Sequence, residues 1–122
     1  MKSLFQGLKV GHQKEQQAKQ WLKKQGFKII AENYHCKGGE IDLIGLRGES
    51  LTFFEVKFRQ SYNYGHPAEM VTSQKQKHIV HCAKTFLLKN PKHQDRAMQF
   101  DVLTFSANQT EPDWIQNAFQ AF

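Results

Sequence analysis

Within the stretch EIDLIGLRGESLTFFEVKF, Asp42, Glu55 and Lys57 are the side chains whose types and spacing best suit chemistry. Gly48-Glu49 separates two runs of alternating apolar residues, 40–47 and 50–58, and reads as a two-residue hairpin turn of the Gly-first kind. With that turn, Arg47 lies opposite Ser50, and facing residues carry numbers that total 97. Asp42 is then expected to face Glu55, and Glu40 to face Lys57. Opposed residues share a face of a sheet, as do residues two apart on one strand, so Glu40, Asp42, Glu55 and Lys57 are expected to form one polar cluster. Ile44, Leu46, Leu51 and Phe53 complete that face, while Ile41, Leu43, Phe54, Val56 and Phe58 form the other, which is core material.

Two carboxylates directly across a hairpin stand about 4.5–5.5 Å apart at Cβ and repel. A divalent cation removes the objection, since Mg2+, or Mn2+ in its place, is held by one or two carboxylates together with water and substrate phosphate oxygens. Such an ion acts as a Lewis acid on a phosphoryl group and activates water, which is the chemistry of phosphodiester hydrolysis. Lys57 is placed to orient that water or to balance charge building on the phosphate, and the backbone carbonyl of Val56 is a further candidate ligand. The bland alternative is an ion cluster on an exposed sheet face, with the acids paired to Lys57 and nearby lysines. Glu15 and Lys75 strengthen the catalytic expectation, because each is charged yet falls on the apolar stripe of a predicted helix. Glu15 could reach the metal and Lys75 the scissile phosphate, although either could equally snorkel to solvent. A zinc site from His35, Cys36, His78 and Cys82 is the competing proposal, but the spacing matches no common closed motif. No P-loop, dinucleotide fingerprint or nucleophile elbow occurs.

The elements that must position these residues follow from periodicity. Residues 10–25 read as an amphipathic helix with Gly11, Glu15, Ala18 and Leu22 on one stripe and lysines opposite, ended by Gly26. A strand is expected over 27–36, broken by Gly38-Gly39, before the hairpin of 40–47 and 50–58. The polar, aromatic run 59–70 contains Gly65 and Pro67 and is expected to be a loop, long enough to contact substrate. Val71, Lys75, Ile79, Cys82, Ala83, Phe86 and Leu87 then fall on a helical stripe over 73–89, with Ser73 and Gln76 as a candidate capping box. Asn90-Pro91 stops that helix, residues 97–106 form another strand, and DWIQNAF packs as a short strand or turn. The order helix, three strands, helix, strand predicts a single α/β domain over residues 1–122. Its mixed sheet is flanked by both helices, the first three strands are antiparallel, and a right-handed crossover delivers the fourth.

The charge distribution suggests a polyanionic partner. The formal net charge is +6, and residues 1–28 hold seven lysines against the single acid Glu15, whereas residues 95–122 are net acidic. Such a basic region attracts nucleic acid and gains affinity by releasing its counterions. Lys14, Lys19, Lys23, Arg59, Lys75 and Lys77 are the expected contacts. Cys36 and Cys82 form no C-x-x-C pair and suggest reduced thiols in a cytoplasmic protein. The N-terminus lacks an apolar signal region, and no stretch approaches the ~20 apolar residues that span a bilayer.

GGEIDLI, FFEVKFR, the downstream K-Q-K with A-K-T-F-L, the F-D-V strand and the terminal N-A-F together resemble the small bacterial YraN-like proteins, over residues 11–119. That family is similar to the PD-(D/E)XK, or restriction-endonuclease-like, superfamily and to archaeal Holliday-junction resolvases. The resemblance implies an αβββαβ nuclease core, Mg2+ dependence and cleavage of DNA or RNA, with DNA repair or recombination as the setting. The acidic pair and E-x-K element carry over to Asp42, Glu55 and Lys57, the helical glutamate of the resolvase-like members to Glu15, and the lysine after the loop to Lys75. The chain departs from the pattern at Ile41, where the superfamily has proline, at Lys14, where the family has a second glycine, and at Gln99, where it has arginine. Junction-cleaving relatives act as dimers, which makes a homodimer the expectation by analogy. A binding module that has kept the fold without catalysis, and a protein-interaction scaffold using Phe119 and Phe122, are the alternatives.

Overall fold

Ala18 and Leu22, four residues apart on one face, are wholly buried and seat the first helix, α1 (Leu4–Lys24), against the sheet. The computed structural model describes residues 4–59 and 71–121, with residues 4–12 and Arg59 described by backbone alone. The predicted loop beyond Arg59, and Phe122, lie outside the described residues. After α1, Gly26 adopts φ +94, and β1 (Lys28–Cys36), β2 (Gly39–Arg47) and β3 (Ser50–Arg59) follow. Helix α2 (Ser73–Lys89), a single 3-10 turn at Pro91–His93, and strands β4 (Ala97–Ser106) and β5 (Asp113–Phe119) complete the order.

The strands form one five-stranded sheet in the order β1-β2-β3-β4-β5. β1, β2 and β3 are antiparallel neighbours, β4 runs parallel to β3, and β5 returns antiparallel. This is the expected mixed α/β core, with β5 added at the edge. The hairpin turns at Gly48, with φ +60, and its pairs Arg47↔Ser50 through Leu43↔Phe54 keep the predicted register.

The two sheet faces carry separate cores, which is why both helices are needed. One face packs Ile44, Leu51, Phe53, Phe100 and Val102 under Ile79, Val80, Ala83 and Phe86 of α2. The other packs Leu43, Phe54, Leu103 and Phe105 under Ala18 and Leu22 of α1, with Phe27 beside them. Gly45 leaves room for close ring packing on that second face, since a Cβ there would stand 3.1 Å from the Phe27 ring and 3.3 Å from the Phe54 ring.

Three expectations are corrected. Ile41 packs in the α2-side core rather than with Leu43. The cap of α2 is Thr72, whose hydroxyl accepts from Lys75 N at 3.1 Å, and Gln76 instead donates its side-chain amide to Val71 O; Ser73 is already inside the helix. The cysteines are not free thiols: Cys36 and Cys82 form a disulfide with Cα atoms 5.5 Å apart. The cause is Gly39, the β2 partner of Cys36, which lies so close to α2 that a Cβ on it would stand 3.1 Å from His78 Cβ and 3.2 Å from Cys82 Sγ. Oxidation also removes both thiolates from the proposed zinc set. No described helix is long and apolar enough to cross a membrane.

The disulfide closes a long segment of chain, its two cysteines 46 positions apart. By loop-closure entropy its reduction, or Cys36→Ser, is expected to lower unfolding stability by about 2–4 kcal/mol. Guanidinium unfolding with and without a phosphine reductant measures this, and an unchanged midpoint would contradict it.

Candidate active site

β2 and β3 part company at Asp42. The ladder between them ends at Leu43↔Phe54, so Asp42 and Glu55 are not the paired neighbours that the hairpin count predicts. Instead the Asp42 carboxylate accepts the backbone N–H of Val56 at 2.8 Å, taking the place of a β2 main-chain carbonyl. β1 pairs with β2 on both sides of this point, Glu32↔Leu43 and Tyr34↔Ile41, and the β1 residue between them, Asn33, has φ +47. Side-chain alternation along β2 also breaks here, which is how Ile41 and Leu43 come to lie on opposite faces. The N–H and C=O of a strand residue point the same way. The Val56 carbonyl therefore opens onto the same gap as its N–H.

Glu55 sits at the edge of that gap, 4% exposed, and is bracketed by two lysines. Lys75 Nζ lies 2.7 Å from Glu55 Oε1 and Lys57 Nζ lies 3.6 Å from it. Lys57 comes from the same strand two residues on, whereas Lys75 comes from the first turn of α2, where Thr72 fixes the helix start. On the other side, carboxylate oxygens of Glu15, Glu40 and Asp42 lie within 4.8 Å of one another. Glu15 is delivered by α1 one turn before Ala18. Asp42, Glu55, Lys57, Glu15 and Lys75 thus assemble at one end of the sheet. Glu40, which the sequence placed in the polar cluster but not among the ligands, joins them; its signal was the Glu40-x-Asp42 spacing next to the Gly38-Gly39 turn.

The electrostatics follow from crowding acids in a dry place. Burial pushes the Asp42 carboxyl up to about 8, and Glu55, Glu15 and Glu40 add to the rise against the opposing Val56 N–H. Burial lowers Lys57, helped by the neighbouring Lys75 and opposed by Glu55. Burial also acts to lower Lys75, but the hydrogen bond and charge of Glu55 outweigh it and the group ends above the usual lysine range. The two lysines are thereby shifted in opposite directions, Lys57 down and Lys75 up.

The expected nucleic-acid contacts divide. Lys23 and Lys77 are exposed, and Lys75 lies at the site. Lys19 is bound to Glu32 at 2.7 Å, which holds that carboxyl below its ordinary range. Lys14 stands 5.2 Å over the Phe105 ring and 5.8 Å over the Phe58 ring, with Nζ 3.4 Å from Gln109 O. Both are used within the fold. Arg59 is the last residue of β3, and its side chain lies outside the description.

The residues present suit a hard divalent cation. The carboxylate oxygens of Glu15, Glu40 and Asp42, from α1 and β2, converge where burial and mutual repulsion raise the Asp42 carboxyl.

A small α/β protein with an acidic pair and two lysines at a split in its sheet is the class that the fold and site define. Residues 14–105 match Uncharacterised protein family UPF0102, and the chain belongs to that family. It is 47% identical to a UPF0102 protein of Saccharophagus degradans over 110 residues, covering 90% of this chain and 92% of that one. It is 40% identical to a UPF0102 protein of Alcanivorax borkumensis, covering 90% of each. A UPF0102 protein of Aeromonas hydrophila is 43% identical, over 89% of this chain and 83% of its own.

The raised Asp42 value makes a stability prediction. The folded protein keeps a proton that the unfolded chain releases near pH 4, so the stabilisation is complete below that and is lost as pH rises toward about 8. Metal-free protein in EDTA is expected to melt at progressively lower temperature from pH 5 to pH 8. Asp42→Asn, whose amide oxygen can still accept from Val56, is expected to flatten the curve; parallel curves for the two proteins would contradict this.

Proposed function

We propose that the chain is a Mg2+-dependent nuclease of the restriction-endonuclease-like class, hydrolysing phosphodiester bonds in nucleic acid, with DNA the favoured substrate. The observation that carries the proposal is the convergence of Asp42, Glu55 and Lys57 with Glu15 and Lys75 where Asp42 separates β2 from β3. An ordinary surface ion cluster would have no need to bury Asp42 and Glu55 at 7% and 4% exposure.

Asp42, Glu55, the Val56 carbonyl, Glu15 and Glu40 are the groups that would hold the cation. When bound, it supplies Lewis acidity toward the phosphoryl oxygens and toward water. Lys75 binds a phosphate oxygen with an ammonium that Glu55 keeps charged. Lys57, beside Glu55 on the same strand, is placed to orient the attacking water and to balance charge building on the phosphate.

Purified protein with Mg2+ or Mn2+ is expected to cut at least one of a set of single-stranded, duplex, flap and four-way-junction DNAs. Asp42→Ala and Glu55→Ala should abolish cleavage, and Lys57→Ala should slow it by about 100-fold or more. No cleavage of any substrate, with salt-sensitive binding retained, would overturn catalysis in favour of a binding module.

A further inference from the structure

A cleft of about 360 Å³ lies directly beside the candidate centre. Gly39 and Glu40 of β2 form one wall, and Thr72, Gln74, Lys75 and His78 at the start of α2 form the other. Lys75 belongs to both places, since it lines the cleft and carries the ammonium that touches Glu55.

The walls are fixed in position. A Cβ on Gly39 would stand 3.1 Å from His78 Cβ and 3.3 Å from His78 O, so the β2 backbone rests directly on α2. The Cys36–Cys82 disulfide ties α2 to β1 at the residue that pairs directly with Gly39 of β2. The approach of the Gly39 backbone to His78 is therefore set by packing rather than by a side-chain rotamer.

Its chemistry is mixed in a particular way. The mouth near the centre has the Lys75 cation, with the Glu40 carboxylate on the opposite wall. Further along are the exposed His78 ring, the Gln74 amide, and Ile79 as a small apolar floor. Phosphate at one end and a flat heteroaromatic ring with polar edges at the other is the description of a nucleotide. Sites for single small molecules run from about 300 to 1,000 Å³, which puts this cleft at the one-nucleotide end of the scale. A cleft of this volume takes one base, whereas a base pair is about twice that size.

We infer that this cleft is a subsite for one unpaired nucleotide adjoining the scissile phosphate, so that the substrate is a single strand or a junction, flap or frayed end with an unpaired base at the point of cleavage. The inference takes its substrate class from the proposed nuclease function and adds the subsite and the selection for unpaired bases. Lys75 holds the phosphate shared between subsite and centre, and His78 stacks on the base. Bases that are already unpaired enter without the cost of leaving a duplex, and selectivity follows from that difference.

The test uses the full chain in EDTA, where no cutting can occur, with thymidine 3′,5′-bisphosphate as the probe. The Gly39 amide and His78 ring resonances are expected to shift on titration, and Gln74→Trp, which fills the cleft, should weaken binding at least tenfold. His78→Ala, an exposed position that leaves the fold intact, should weaken it several-fold. A ten-residue oligothymidine should compete for the probe at a concentration at least tenfold lower than a blunt duplex of equal length. Shifts absent from Gly39 and His78, affinity indifferent to both substitutions, or duplex competing as well as single strand would each overturn the subsite. Binding as expected with no cleavage in Mg2+ would sink the nuclease proposal and leave the subsite standing; cleavage unaffected by Gln74→Trp would do the reverse.

Discussion

The hydrogen bond from Val56 N–H to the Asp42 carboxylate is the constraint on which the rest of the site depends. By supplying a side-chain acceptor where the ladder calls for a main-chain one, Asp42 ends the pairing of β2 with β3 without leaving a buried donor unsatisfied. β3 meanwhile stays paired to β4 through Arg59↔Ser106, well past the point where its pairing to β2 ends. The gap that opens collects what an intact sheet would have kept apart: a turned-in carboxylate, a strand carbonyl with no ladder partner on that side, and the Glu55 side chain with its two lysines.

Such a concentration of charge survives only if its surroundings are rigid. Both helices are held by cores independent of the site, α1 through Ala18 and Leu22, and α2 through Ile79, Val80, Ala83 and Phe86. Glu15 and Lys75 are thereby brought to the centre by packing that they do not themselves supply. At the far edge, the fully buried Asp101 accepts from Trp114 Nε1 and Asn117 N, both at 2.8 Å, and from Gln99 Nε2 at 2.9 Å, which secures β5 to β4. Gln99 thus serves this buried carboxylate, and Lys14 covers the Phe58 and Phe105 rings.

Much of this was legible in the residues. Period-two alternation and the Gly48 turn are local signals, and they yielded the hairpin register from Arg47↔Ser50 to Leu43↔Phe54. The stripe on α2 and the strand at Ala97–Ser106 were read the same way. What escaped was whatever depends on one side chain replacing backbone or on contacts between distant segments. Counting along a hairpin assumes an unbroken ladder, so it placed Asp42 and Glu55 as direct neighbours and Ile41 on the wrong face. Cys36 and Cys82 lie far apart in the chain, and only the bare backbone of Gly39 against α2 explains their meeting. Lys14 and Lys19 counted as free positive charge until ring faces and Glu32 claimed them.

The account stands or falls on whether the Asp42 and Glu55 carboxylates share one divalent cation. A crystal of the protein grown with Mn2+ and measured at an energy where manganese scatters anomalously would show this directly. The account predicts a single strong anomalous peak coordinated by Asp42, Glu55 and the Val56 carbonyl, absent from Asp42→Asn crystals grown alike. An empty gap with Lys57 and Lys75 still closed on Glu55 at saturating Mn2+ would contradict it.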